Sequence, residues 1–256
     1  SIQSRPVRGD WDRPVLSGTA GALLKLTERS DLYVHGGYGE RRPGSGFVRA
    51  DGSAPGPEQR HTGDTGWTCA WGENGTGLLK AGLFGILRRD AIVRVNQTAM
   101  DSGGNEFNLS GNQDIRHYGM EIEARTPRLL DDHLLFFGSV TWMRSETKTG
   151  SEFEKYNEIP SLTLSGGVEL AFGAWDAAVT ARHVDRYENF RFAQDGIPHG
   201  LGDYLDVTLS VGVRLGRDKN IRLYALVENA MDEAYSTVVG WTDPGRSYRA
   251  GLEMTF

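Results

Sequence analysis

Apolar and polar residues alternate one by one along much of this chain. In "YLDVTLSVGVRL", Leu205, Val207, Leu209, Val211, Val213 and Leu215 share one parity, while Asp206, Thr208, Ser210, Gly212 and Arg214 share the other. "SLTLSGGVELAF" sets Leu162, Leu164, Val168, Leu170 and Phe172 against Thr163, Ser165, Gly167 and Glu169. "HYGMEIEAR" sets Tyr118, Met120, Ile122 and Ala124 against His117, Glu121, Glu123 and Arg125, and the final "SYRAGLEMTF" repeats the pattern. A period of two belongs to strands, and helical spacing fits none of these segments. The pattern predicts about eleven strands, over 14–26, 31–40, 62–74, 77–97, 115–125, 134–145, 161–172, 175–190, 204–215, 221–230 and 246–256.

The connections carry a second signal. Short ones ("TERS", "NGT", "TPRLLDDH", "GA", "GRDKN") alternate with long ones at 41–61, 98–114, 146–160, 191–203 and 231–245. Tight turns at one end and long loops at the other describe an up-and-down meander of the transmembrane-barrel kind. A β-sandwich would mix loop lengths between its ends. Aromatics on the apolar parity agree. Phe136, Phe172, Trp175 and Phe256 fall at the tight-turn end, and Trp142 and Tyr248 near the long-loop end. Such girdles suit the two membrane–water interfaces.

Composition narrows the picture without changing it. No apolar run reaches the ~20 residues of a membrane helix, but a barrel strand needs only ~10 alternating residues. The net charge of −6 comes with no basic block, so no nucleic-acid partner is expected. The single cysteine, Cys69, excludes an internal disulfide framework. No cationic, apolar stretch opens the chain, so a signal peptide is not expected within it.

The ending "GLEMTF" resembles the carboxy-terminal assembly signal of bacterial outer-membrane proteins, carried here by Gly251, Met254 and Phe256. The barrel-assembly machinery is the partner this implies. More of the chain resembles the TonB-dependent outer-membrane receptors. "VENAMDEAYSTVVGWTDPGRSYRAGLEMTF" is similar to that family's ending through Asn229, Asp232, Glu233, Tyr235, Pro244, Gly245 and Arg246. "PGPEQRHTGDTGW" matches through Pro57, Glu58 and Gly66, with Asp64 where glutamate is commoner in the family. "IRHYGMEIEAR" matches through Gly119 and Glu121, and "NEIPSLTLSGGVEL" through Pro160. The resemblance implies a 22-stranded barrel around an amino-terminal plug, of which residues 1–256 supply about half the strands. No plug-like region or TonB-contact segment is expected within this chain, which therefore reads as a fragment of a longer protein.

The expectation is an all-β, antiparallel transmembrane barrel half in the bacterial outer membrane. It is a receptor and transporter, not an enzyme, for TonB-dependent uptake of a scarce small molecule. The resemblance implies iron–siderophore complexes as the substrate class, with the TonB complex, outer-membrane lipid, the plug and the other barrel half as partners. The five long loops are the expected ligand-binding region. The polar parity carries Glu121, Glu123, Arg125, Glu169, Arg182, Asp206, Arg214, Arg222, Glu228, Arg249 and Glu253, read as a solvated barrel interior. The six histidines show no metal-ligand spacing, so no metal site, catalytic set or cofactor is nominated. Two alternatives stay open: a small outer-membrane barrel hydrolase using serine and histidine, and a soluble β-sandwich interaction domain.

Overall fold

The computed structural model describes residues 14–44, 46–101, 103–189, 199–216, 220–239 and 241–255. The strands are β1 (Ser17–Thr27), β2 (Ser30–Arg41), β3 (Glu58–Trp71), β4 (Gly77–Met100), β5 (Glu106–Arg125), β6 (Leu134–Thr149), β7 (Glu152–Lys155), β8 (Leu162–Phe172), β9 (Trp175–Val184), β10 (Tyr187–Asn189), β11 (His199–Leu201), β12 (Tyr204–Leu215), β13 (Ile221–Glu228), β14 (Ser236–Val238), β15 (Trp241–Thr242) and β16 (Ser247–Met254). The main sheet runs β1-β2-β3-β4-β5-β6-β8-β9-β12-β13-β16, every pair antiparallel and in chain order. Eleven long strands thus form the expected meander. β7 adds to the end of β6, and β10–β11 and β14–β15 are separate hairpins in the long connections.

Register keeps the apolar parity continuous from strand to strand. Val211 lies opposite Ala177 on one side and Ala225 on the other, and Ala225 faces Ala250. A slip of one residue would turn a whole strand's apolar set onto the polar face, so the alternation itself fixes the pairing. The apolar face is uncovered. Leu83, Phe172, Trp175, Val179, Val211 and Leu252 are all exposed, Phe172 at 71%. Phe136, Phe172 and Trp175 mark its tight-turn edge, while Tyr118, Trp142 and Tyr248 mark the edge nearer the long loops. Phe256 lies outside the described residues.

Burial is concentrated beyond that upper edge. Val48, Ala91, Ile92, Leu109, Ile115, Val184, Leu201 and Tyr204 are buried, with Val48 at 0% exposure. The β2–β3 loop folds onto the β4–β5 hairpin, where the Ser110 amide donates to the Val48 carbonyl at 2.7 Å. Asn112 ties the two together through Gly56 and Arg49.

Several sequence boundaries are corrected here. The expected loop 98–114 is largely strand, because β4 continues to Met100 and β5 begins at Glu106. Only a turn remains, closed by Asp101, whose carboxylate accepts the amides of Gly103 (2.8 Å) and Asn105 (2.9 Å). The third strand begins at Glu58 and ends at Trp71, followed by a short 3₁₀ turn over Glu73–Gly75. The expected strand 175–190 breaks after Val184. With 24 residues in β4 and 20 in β5, this hairpin is about twice the ~10 residues a bilayer requires. Its outer half lies beyond the apolar band and is partly covered by the β2–β3 loop, so the alternation that announces a lipid-facing strand is missing there.

Candidate functional site

At the long-loop end of the polar face, three adjacent strands each bring arginine to one place. Glu58 starts β3 and Arg88 lies near a bulge in β4, between Arg88 and Ala91. Arg88 Nε donates to Glu58 Oε1 at 2.7 Å and Arg88 NH2 to Oε2 at 2.8 Å. The bulge turns the Ile92 amide toward the same carboxylate, at 3.3 Å from Oε2. The Glu58 side chain is 5% exposed. Burial opposes its charge, but the paired Arg88 hydrogen bonds prevail and hold the carboxyl below the usual carboxylate range. Arg88 is pushed up in return, chiefly by the same hydrogen bonds.

Around this pair stand exposed arginines. Arg41 lies opposite Glu58 across β2–β3, and Arg60 opposite Arg88 across β3–β4. Together with His117 these residues line a cavity of about 500 Å³. Three guanidinium groups against the two carboxylates of Glu58 and Glu40 leave the cavity with a net positive charge, which suits an anionic ligand. His117 Nδ1 lies 2.9 Å from the Ser145 hydroxyl. Ser145 is buried, so its Oγ is not open to a solute. Beyond β7, Tyr156 donates to Glu158 at 2.7 Å, and burial first, then that carboxylate, push its phenol well above the ordinary range.

The family-matching residues fall elsewhere, except Glu58 with Pro57 beside it. Asn229 is buried, with its backbone in the left-handed region (φ 49°). Its side-chain amide donates to the Glu233 carbonyl (2.8 Å) and Asp243 (3.2 Å), while its Oδ1 accepts the Glu233 amide (2.9 Å). The Asp243 carboxylate receives the Gly245 amide and that of Asp232 receives the Arg246 amide, each at 2.9 Å. Tyr235 stacks on Tyr204 with ring centroids 3.9 Å apart. Pro244, exposed, leads into the turn at Gly245 (φ 79°). These residues form a clasp around the β13–β16 connection. Gly66, Gly119 and Gly251 serve another purpose on the polar face, since each lies under an aromatic ring of a neighbouring strand: Tyr33, Phe84 and Tyr224 respectively. Glu121 is exposed on that face, opposite Gly82 and Thr141. Met254 is exposed on the apolar parity.

The tight-turn end holds a different set of charges. Asp176 of β9 accepts from Arg222 of β13 at 2.6 and 3.1 Å, and Arg214 lies 3.4 Å away. Arg222 also reaches Glu253 of β16 at 3.6 Å. The bridge from Asp176 to Arg222 crosses β12 over Gly212, where an added Cβ would lie 2.8 Å from both. Among the described residues, no group of three or more histidine, cysteine or carboxylate side chains is gathered for a metal ion.

Sequence reasoning missed the arginine cavity. Its signal is the recurrence of arginine where three neighbouring strands meet the long loops: "GERR", "EQRH" and "ILRRD". The luminal aromatics over glycines were not legible either, because Tyr33, Phe84 and Tyr224 stand on the polar parity and meet their glycines only across neighbouring strands.

Comparison with known proteins bears on the whole sheet. Residues 4–230 match the family described as TonB dependent receptor-like, beta-barrel. No curated protein matches the chain. Among solved structures it is similar to the ferric-catecholate import receptor Fiu of E. coli K12, at 18% identity and a TM-score of 0.70 over 93% of this chain and 34% of that one. It is similar to the copper transporter OprC (21%, TM-score 0.73, 94% of this chain and 39% of that). It is also similar to P. aeruginosa FpvA bound to heterologous pyoverdines (14%, TM-score 0.72, 92% of this chain and 32% of that). The chain thus spans about a third to two-fifths of these structures, and at such identities the likeness shows the fold alone.

Proposed function

This chain belongs to the TonB-dependent receptor β-barrel family, and we propose from that premise that it forms part of the wall of an outer-membrane receptor that captures an anionic iron–siderophore complex. The family is one of transport receptors of the Gram-negative outer membrane. The observation that carries the reading is the positive cavity of Arg41, Arg60 and Arg88 at the long-loop end of the polar face. That end bears the long connections, and the polar face is the interior of a barrel of this family. Arg88 is fixed by Glu58, whereas Arg41 and Arg60 are exposed and placed to meet carboxylate, catecholate or phosphate oxygens. The neighbouring folds carry different cargoes by name, copper among them, so cargo is assigned from charge and not from the fold.

The test is binding of ferric complexes by the detergent-folded protein, followed through tryptophan fluorescence. An Arg41→Gln/Arg60→Gln variant should bind an anionic ferric tris-catecholate at least tenfold more weakly and show no change toward a neutral ferric trihydroxamate. Equal binding of the anionic complex by variant and parent would end the proposal.

A further inference from the structure

The apolar face changes character just above the Tyr118–Trp142 level. Tyr118, Met120 and Ile122 share their parity with Arg116, and the register places Arg116 level with Leu87 and His61. One row higher lie Arg89, Lys148 and Phe153. These residues border a cavity of about 860 Å³ on the outward side of the sheet, opposite in parity to the Arg41–Arg60–Arg88 cavity. Its floor is glycine. Gly36, Gly63 and Gly85 lie directly opposite one another on three adjacent strands, and Gly85 faces Tyr118. Nothing stands within 4 Å above Gly63 or Gly85.

The cationic groups are held in place. Arg116 lies 4.1 Å over the ring of Phe153 and bonds to Glu146, whose side chain is 4% exposed. Arg144 bonds to the other oxygen of that carboxylate at 2.7 Å. Lys148 lies 3.7 Å from Asp114. With Asp90 also lining the cavity, four cations meet three carboxylates, so the rim keeps an excess of positive charge. A shallow trough between aromatic rings with cations at its upper lip matches a lipid: apolar tail below, anionic headgroup above.

We propose that this rim binds one phosphate-bearing lipid of the surrounding leaflet, with phosphate oxygens on Arg89, Arg116 and Lys148 and an acyl chain lying across Gly63 and Gly85. The inference rests on the reading of the apolar face as lipid-facing, and it is independent of what the interior cavity binds. The volume accommodates a headgroup rather than a lone ion.

The test is native mass spectrometry of the detergent-folded protein with three probes: bis-phosphorylated lipid A, the same lipid without its phosphates, and inorganic pyrophosphate. Arg89→Gln/Lys148→Gln leaves the Arg116–Glu146 bond intact and should retain the bis-phosphorylated lipid at least tenfold less. Arg60→Gln, on the opposite face, should retain it as the parent does. Gly85→Leu should weaken lipid retention by filling the trough. Equal retention by the double variant, or of the dephosphorylated lipid by the parent, would overturn the proposal. Displacement of the lipid by pyrophosphate at matched concentration would also overturn it, marking a site for soluble anions. Failure of the parent to insert into liposomes would sink the lipid-facing reading itself, and insertion followed by failed retention would sink only the lipid site.

Discussion

The two ends of this sheet handle the same alternating sequence in opposite ways. Toward the tight turns, the apolar side chains of β4, β8, β9 and β16 stand uncovered, and the charged pairs of the described residues there lie on the polar face or in the turns. Toward the long loops, the chain builds a core of its own. Val48, Ala91, Ile92, Leu109 and Ile115 are buried there beside the polar groups Glu58, Ser110 and Glu146. The difference follows from the solvent each end is made for. A strand in hydrocarbon uses lipid as the medium for its apolar side, so it needs no second layer. A strand in water must cover its apolar residues with protein and satisfy every polar group that this burial cuts off.

The contrast breaks most severely at Glu58. Arg88→Met leaves a buried carboxylate without its partner and should cost about 3–5 kcal/mol at neutral pH. Urea unfolding of the detergent-folded protein at pH 7 and pH 4 would measure it. Arg88 depresses the Glu58 pKa in the folded state, so the pair's contribution is fully present above the unfolded carboxylate range and is lost as pH falls through the folded value. In the variant, burial is opposed only by the Ile92 amide and the Arg41 charge, so the acid protonates more readily and the deficit against the parent should shrink at pH 4.

Ile115→Ala should come next, at about 3 kcal/mol, because it opens a cavity in the water-side core. Asn229→Ala should cost about 2 kcal/mol, since it strips hydrogen bonds from the clasp around the last connection. Limited proteolysis should then cut within 231–245 before any other connection. Leu83→Ala sharpens the comparison from the other side. This leucine is 61% exposed, so its loss leaves no cavity and should cost about 1 kcal/mol or less in the same unfolding assay. A loss at Leu83 as large as that at Ile115 would mean that the two ends are not different in kind.

The sheet was legible in the sequence where one parity stays apolar along a whole strand, as a lipid-facing side requires. Leu205 to Leu215 and Leu162 to Phe172 fall on the strands and the face that alternation assigned. The tip of the β4–β5 hairpin, from Thr98 to Asp114, was not legible as strand, since Asn108 and Asn112 alternate with nothing of constant polarity. Nor was the arginine cavity. Arg41, Arg60 and Arg88 are distant in the chain, and only the register of β2, β3 and β4 brings them to one level. Burial of Glu58 depends on the folding of the neighbouring loop, which no local pattern encodes.

A meander in which every strand touches only its chain neighbours is a one-dimensional array, and such arrays tend to come apart one unit at a time. Asp176 and Arg222 break that rule by joining β9 to β13 across β12, through the gap that Gly212 leaves, and Arg222 carries the link on to Glu253 in β16. Interaction between second neighbours lengthens the distance over which order at one position enforces order at the next. The last four strands of the sheet are thereby coupled into a block that gains or loses its structure together. A glycine, which alone would loosen β12, is what lets the block act as one cooperative unit.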